Sequence, residues 1–305
     1  NLVETAEGIL FSSGNAIRKL PGGEPVREFS SAIAAMAAAP DGALAVALEN
    51  GTIEFLSAEK SRSSPSSFTC PTALAFGPSG ELYVCNGSDR FAPGEWASDL
   101  MSKTASGSVW KVTANGERQR LAQGLAYPFG IAVDSANGRL IVAEAWRHRL
   151  VGISLQGGEA RPLLANLPGY PARISSNSTG YLLSVFAPRN RLIEFVLLED
   201  AYRADMMRSV DSRYWIAPSL SASRSFLEPL QCGGVRTMGI HKPWSPSRSY
   251  GLVIEIDREI RPVASYHSRA NGIRHGITSA IAQDDDIIAA SKGGDAILRF
   301  ARATA

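Results

Sequence analysis

Apolar residues in this chain fall in short runs cut by turn residues. In Tyr127 to Leu155, "YPFGIAVDSANGRLIVAEAWRHRLVGISL", the runs "GIAVD", "RLIVAEA" and "RLVGISL" are separated by "SANG" and "WRH". Each run is too short for a helix, so the pattern predicts a meander of strands. Aligned on the turn glycine, "IAAMAAAPDGALAVALENGTIEFL", "PTALAFGPSGELYVCNGS", "PARISSNSTGYLLSVFA" and "HGITSAIAQDDDIIAASKGGDAILRFA" have the same grammar, and so does the start, "EGILFSSGNAIRKL", if Leu2 to Glu4 supplies its first strand. That makes six units.

A sheet of three or four strands recurring about every 40 residues cannot cover both of its faces alone, which predicts an all-β, six-bladed β-propeller over residues 1–305. The spacing agrees: Gly42 to Gly80 is 38 residues and Gly138 to Gly180 is 42. Gly80 to Gly138 is 58, and the excess is the insertion 88–107, "SDRFAPGEWASDLMSKTASG". A longer insertion, 188–249, falls in blade 5. Both lie between the second and third strands of their blades, on the face that usually carries the ligand, so they are expected to cap the channel mouth. Within the second, Leu192, Ile193, Phe195, Val196, Tyr202 and Met206 recur at helical spacing and predict a helix over Arg191 to Val210. Its Met and aromatic stripe is read as packing. Outer strands read as "PVREF", "ERQRLA", "EARPLLA" and "IRPVASYH", with none after Ala301, so residues upstream or the N-terminal stretch are expected to close the ring.

Composition narrows the function classes. The 305 residues are 45% hydrophobic and 20% charged with a formal net charge of +2, and no basic stripe interleaves with aromatics, so nucleic acid is not suggested as a partner. No apolar run reaches the length of a membrane span, and "NLVETAEG" has no signal-peptide pattern; a chain starting at Asn1 is expected to be processed or trimmed upstream. Cys70, Cys85 and Cys232 are read as reduced, core-type cysteines. Compartment and oligomeric state are not legible.

The candidate chemistry lies at the predicted rim. Tyr127, Phe129, Tyr170, Arg173, Arg274 and His275 precede or open inner strands, while Asn86 and Glu144 end second strands on the same face. Thr72 opens an inner strand in "CPTAL", and Trp244 lies in the Pro- and Gly-rich cap. Aromatics around a guanidinium suit a small anionic or polyhydroxylated ligand. Structural readings stand beside these: an inter-blade ion pair for Arg173, a hydrogen-bonded strand start for His275, pairing of Glu144 with Arg147 or Arg149, and a solvated hairpin for Asp284 to Asp286. No GxSxG, HExxH, P-loop or CxxC pair is present, and "SKGGD" reads as turn glycines.

The tract "LIVAEAWRHRLVGISLQGGEARPLLANLPGYPARI", then a helix-bearing insertion, then "SYGLVIEIDREIRPVASYHS" and "HGITSAIAQDDDIIAASKGGDAILRF", resembles the strictosidine-synthase-like family, related to the regucalcin/gluconolactonase and paraoxonase propellers. The resemblance runs from about Glu7 onward. It implies a six-bladed propeller with its site at the channel mouth. Metal-dependent relatives show "PNG" where this chain has Phe129, "PDN" where it has Ala172 and Arg173, and Asn where it has Thr72. Phe, Ala and Arg cannot ligate a hard cation, so no cofactor, and no catalytic calcium held in the usual way, is expected. Plant strictosidine synthases need a Glu shortly after the last-blade His; Ile277 aligns there, so that activity is not expected.

Two functions follow. One is a hydrolase of small lactones or esters, with His275 as base, Arg173 as oxyanion or carboxylate partner and Glu144 orienting. The other is a non-catalytic propeller binding a sugar acid or other anion. Thr72, Asn86, Tyr127, Phe129, Tyr170, Trp244 and Arg274 would contact the ligand in either case.

Overall fold

Six antiparallel sheets are arranged around one axis in the computed structural model, which describes residues 1–56, 61–63, 67–113, 115–222, 236–237, 240–241, 248–270 and 272–303. Blade 1 is β1 (Leu2–Thr5), β2 (Gly8–Ser13), β3 (Ala16–Lys19) and β4 (Glu24–Glu28). Blade 2 is β5 (Ile33–Ala38), β6 (Leu44–Leu48), β7 (Ile53–Leu56) and β8 (Ser61–Ser63). Blade 3 is β9 (Pro71–Phe76), β10 (Leu82–Asn86), β11 (Gly107–Val112) and β12 (Arg118–Leu125), with helix α1 (Trp96–Ser102) in its insertion. Blade 4 is β13 (Pro128–Asp134), β14 (Arg139–Glu144), β15 (Arg149–Ser154) and β16 (Arg161–Leu164). Blade 5 starts with β17 (Gly169–Ser176) and β18 (Gly180–Pro188). Its insertion carries helices α2 (Arg191–Leu198) and α3 (Asp200–Ser209) and a short pair, β19 (Arg236–Thr237) and β20 (Ile240–His241), before β21 (Leu252–Asp257) and β22 (Pro262–His267). Blade 6 has β23 (Ile277–Gln283), β24 (Asp286–Ser291) and β25 (Ala296–Ala301).

Burial within a blade explains why the runs read as they do. Second strands have neighbouring blades on both faces, so β6, "LAVAL", is apolar and buried at every position rather than alternating. Outer strands face solvent, and every residue of β4 is exposed. Inner strands crowd at the axis, and β5 is built mostly of alanine. Apolar seams then join each blade to the next: Ala45 and Ala47 of blade 2 meet Leu82 and Val84 of blade 3, and Leu140 and Val142 of blade 4 meet Tyr83 and Val109 of blade 3.

The N-terminal stretch closes the ring by packing rather than by adding a strand. The last sheet has three strands, and no fourth strand completes it among the described residues. Instead Leu2 and Ile9 of blade 1 pack on Ile281, Ile288 and Ala290 of blade 6, and the Leu2 amide donates to Ser279 Oγ at 3.2 Å. Side-chain packing, the same force that holds the other seams, joins first blade to last. The helix expected over Arg191 to Val210 is two helices broken at Glu199, whose φ/ψ of −89°/80° is not helical. Among the described residues no helix is long and apolar enough to cross a membrane.

The two insertions meet. Leu100 and Met101 of α1 share one apolar cluster with Val196 of α2, Met206 of α3, Trp215 and Phe186. Lys103 also reaches Asp200 at 3.4 Å, a second contact between the two insertions.

Candidate functional site

The neck of the channel is made by one local irregularity repeated in five blades. Where each inner strand begins, its pairing with the second strand slips: Ala34, Thr72, Phe129, Ala172 with Arg173, and Thr278 have no partner in the ladder. A bulge of this kind frees backbone carbonyls from the sheet and re-aims side chains, here toward the axis.

Arg173 uses this ring. From blade 5 its Nη2 donates to the Ala34 carbonyl of blade 2 at 2.5 Å and the Thr72 carbonyl of blade 3 at 3.0 Å, and Nη1 reaches the Thr278 carbonyl of blade 6 at 3.5 Å. Its guanidinium lies over the Phe129 ring of blade 4, 5.0 Å from the centroid. One side chain thus ties five blades at the axis, where the expected inter-blade ion pair would have tied two. No carboxylate pairs with it among the described residues, and buried Nε has no hydrogen-bond partner. Desolvation brings the guanidinium down to about 10, still charged at neutral pH.

Above Arg173 opens a cavity of about 570 Å³. One wall is aromatic. Trp146 stacks on Tyr127 at 4.5 Å, and Trp96 and Phe129 each meet Phe186 edge-on at 5.7 Å. Trp146 is fixed by its indole N–H, which donates to buried Asp99 of α1 at 2.6 Å. The opposite wall is polar, with Ser12, Ser13, Glu49, Lys292 and Asp295. Pro93 and Trp96 of the first insertion and Leu220 of the second also line it.

Of the residues singled out from sequence, Thr72, Tyr127, Phe129 and Arg173 line this cavity. Tyr170 lies behind the wall, fully buried against Trp146 and Phe186. Thr72 contributes its carbonyl to Arg173, while its hydroxyl donates to the Pro128 carbonyl at 2.5 Å. Trp244 is outside the described residues.

His275, Glu144, Asn86 and Arg274 are placed elsewhere, for identifiable reasons. His275 is fully buried and Nε2 lies 2.9 Å from the Arg269 carbonyl, which can only accept, so Nε2 carries a proton; Nδ1 is 2.8 Å from Ser249 Oγ. Neither nitrogen faces the cavity. Glu144 is also fully buried: Oε1 accepts from the Ala126 amide at 2.7 Å and from Arg147 at 2.8 Å, and Oε2 from Arg149 at 2.5 Å. That is the structural pairing. Asn86 accepts from the Cys70 amide and donates to the Ser88 carbonyl, both at 2.8 Å, and Arg274 is exposed away from the lining.

Among the described residues no group of three His, Cys, Asp or Glu is placed to hold a metal ion, and the carbonyl-lined neck already holds the cationic Arg173. Cys70 and Cys85 are buried free thiols; burial pushes Cys70 up to about 12, so neither is a nucleophile at neutral pH. Cys232 lies outside the described residues.

Glu49 and Lys292 line the cavity without having been singled out from the sequence. A usable signal existed, because each immediately follows a second strand, the placement that had drawn attention to Asn86 and Glu144 at the ends of theirs.

No protein-family model matches the chain, and no curated protein sequence does. Among solved structures, a chain of the nidogen/laminin complex is 17% identical, with a TM-score of 0.48 over 61% of this chain and 71% of that one. Virginiamycin B lyase from Staphylococcus aureus is 16% identical, with a TM-score of 0.45 over 60% of this chain and 61% of the lyase. A protein carrying a gluconolactonase designation is 14% identical, with a TM-score of 0.44 over 57% and 65%. Likeness this distant carries no functional argument, and the propeller architecture rests on the six sheets themselves.

Proposed function

We propose that the channel mouth binds a small organic anion, its charged group held by Arg173 and its flat or apolar body laid against Trp96, Phe129, Trp146 and Phe186. The observation that carries this reading is the half-buried guanidinium of Arg173 at the floor of the cavity, which donates to backbone carbonyls and pairs with no carboxylate among the described residues. A half-buried charge is partly desolvated without a counter-ion, and a ligand carboxylate would supply one. A sugar acid or an aromatic carboxylate fits this chemistry. The strictosidine-synthase-like resemblance, centred on Leu140 to Ile174, favours the same mouth as the site.

That resemblance also motivates hydrolysis of a small lactone or ester. The geometry gives it less support, because both ring nitrogens of His275 and both oxygens of Glu144 are engaged in holding the fold. Titration of the protein with aromatic carboxylates and sugar acids, followed by tryptophan fluorescence, tests the binding reading. Saturable quenching that weakens with added salt is expected. A panel that leaves the fluorescence unchanged while lactones are turned over would replace it with the hydrolase.

A further inference from the structure

We propose that Lys292 is a reactive amine that forms an imine with carbonyl-bearing carboxylates, such as 2-oxo acids or aldehyde acids, held in the mouth. This rests on the anion-binding reading and adds covalent chemistry to it.

The placement of Lys292 is built. It is the first residue after β24, at the turn into β25, and it lines the cavity floored by Arg173. Its amide donates to the Gly276 carbonyl at 2.9 Å, and Ser291 before it donates to the His275 carbonyl at 2.7 Å, so the backbone carrying it is fixed. The next residue must be glycine: a Cβ on Gly293 would stand 1.6 Å from the Leu220 carbonyl, because the cap presses directly on this turn. The ammonium has no ion-pair or hydrogen-bond partner among the described residues; of the carboxylates lining the cavity, Glu49 and Asp295, only Glu49 acts on it. Lys292 is open to solvent at the mouth, and partial desolvation by the cavity walls, together with the charge of Arg173, draws it below its usual value, against Glu49. A lysine beside another cation in a partly desolvated site has more of the free amine that attacks carbonyls.

The two cations then have different tasks. Arg173 takes the carboxylate, since a guanidinium stays protonated and binds it through paired N–H groups. Lys292 takes the carbonyl. The neutral amine adds to the carbonyl carbon, two protons pass from nitrogen to oxygen, water leaves, and a C=N bond remains, with no change of oxidation state.

The test is reductive trapping. The protein is incubated with phenylglyoxylate or 4-carboxybenzaldehyde and sodium cyanoborohydride at neutral pH, and adducts are located by peptide mass mapping; the five other lysines, Lys19, Lys60, Lys103, Lys111 and Lys242, serve as internal controls. The expected result is one adduct per chain on Lys292, at least about tenfold over any other lysine, suppressed by benzoate and absent from Lys292→Arg, which keeps the charge. Adducts spread over all lysines, or unchanged in Lys292→Arg, overturn the proposal. If benzoate binds but no adduct forms on Lys292, the imine is wrong and the anion site stands. If benzoate does not bind, both fall together.

Discussion

The guanidinium carbon of Arg173 lies 5.0 Å from the centroid of the Phe129 ring, joining blade 5 to blade 4 at the channel axis. Both residues are bulged out of their ladders, so the contact exists because two sheets break register at the same height. A cation over an aromatic face is worth about 0.5–2 kcal/mol depending on solvation. The Phe129→Leu variant should therefore lose on the order of 1 kcal/mol of stability and bind carboxylates several-fold more weakly. Chemical denaturation with a parallel ligand titration measures both; unchanged affinity would remove Phe129 from the site.

Arg173 serves stability and binding at once. Arg173→Gln would leave carbonyls of three blades short of a charged donor, each such bond contributing roughly 1.5–3 kcal/mol. A clear fall in melting temperature with loss of anion binding is expected. Arg173→Lys, which keeps charge but not the fork, should melt between wild type and Arg173→Gln. Indifference of the melting temperature to both would show that the axial tie contributes nothing.

His275 and Glu144 should behave as structural groups. Glu144→Gln removes the charge that two arginines and the Ala126 amide converge on, and His275→Asn disturbs two buried bonds. Each variant is expected to lose about 1–4 kcal/mol of stability and to bind carboxylates within about twofold of wild type where folded. A folded His275→Asn protein of unchanged melting temperature that has lost a measurable turnover would return His275 to the chemistry.

Acid should loosen the cap. Helix α2 is pinned by Glu194, whose carboxylate lies 3.3 Å from His148 Nε2 and 2.9 Å from Arg189, while the His148 Nδ1 proton goes to the Gly169 carbonyl. Chiefly through His148, Glu194 is held down at about 2 from an ordinary 4.5. A carboxylate depressed in the folded state stabilises fully above its unfolded value and loses that contribution as pH falls toward 2. Amide protection over residues 191–209, corrected for the intrinsic exchange rate, should fall between pH 4.5 and 2 in wild type, and Glu194→Gln should show the lowered protection already at pH 6. The same pH dependence in both proteins would contradict this pin.

The architecture was legible because it rests on repetition. Six copies of one strand grammar located the blades, and the excess spacing between turn glycines located the two helix-bearing insertions. What local pattern could not convey is where side chains point once a ladder slips. His275 and Arg173 both stand at inner-strand entrances, yet one turns into the protein beside Ser249 and the other, bulged, reaches the axis. The break at Glu199 was hidden because apolar spacing continues across it. Lys292 was passed over as part of a glycine turn, since the reason for Gly293, the Leu220 backbone pressing on it, comes from a cap just over 70 residues earlier in the chain.

The central claim, that an uncompensated guanidinium makes this mouth an anion site, is tested most directly by calorimetric comparison of one ligand in two forms. An aromatic carboxylate and its primary amide have nearly the same shape and differ in charge. The account predicts that the carboxylate binds about 10- to 100-fold more tightly, the equivalent of one charged hydrogen bond. Equal affinity for the two, or preference for the amide, would contradict it.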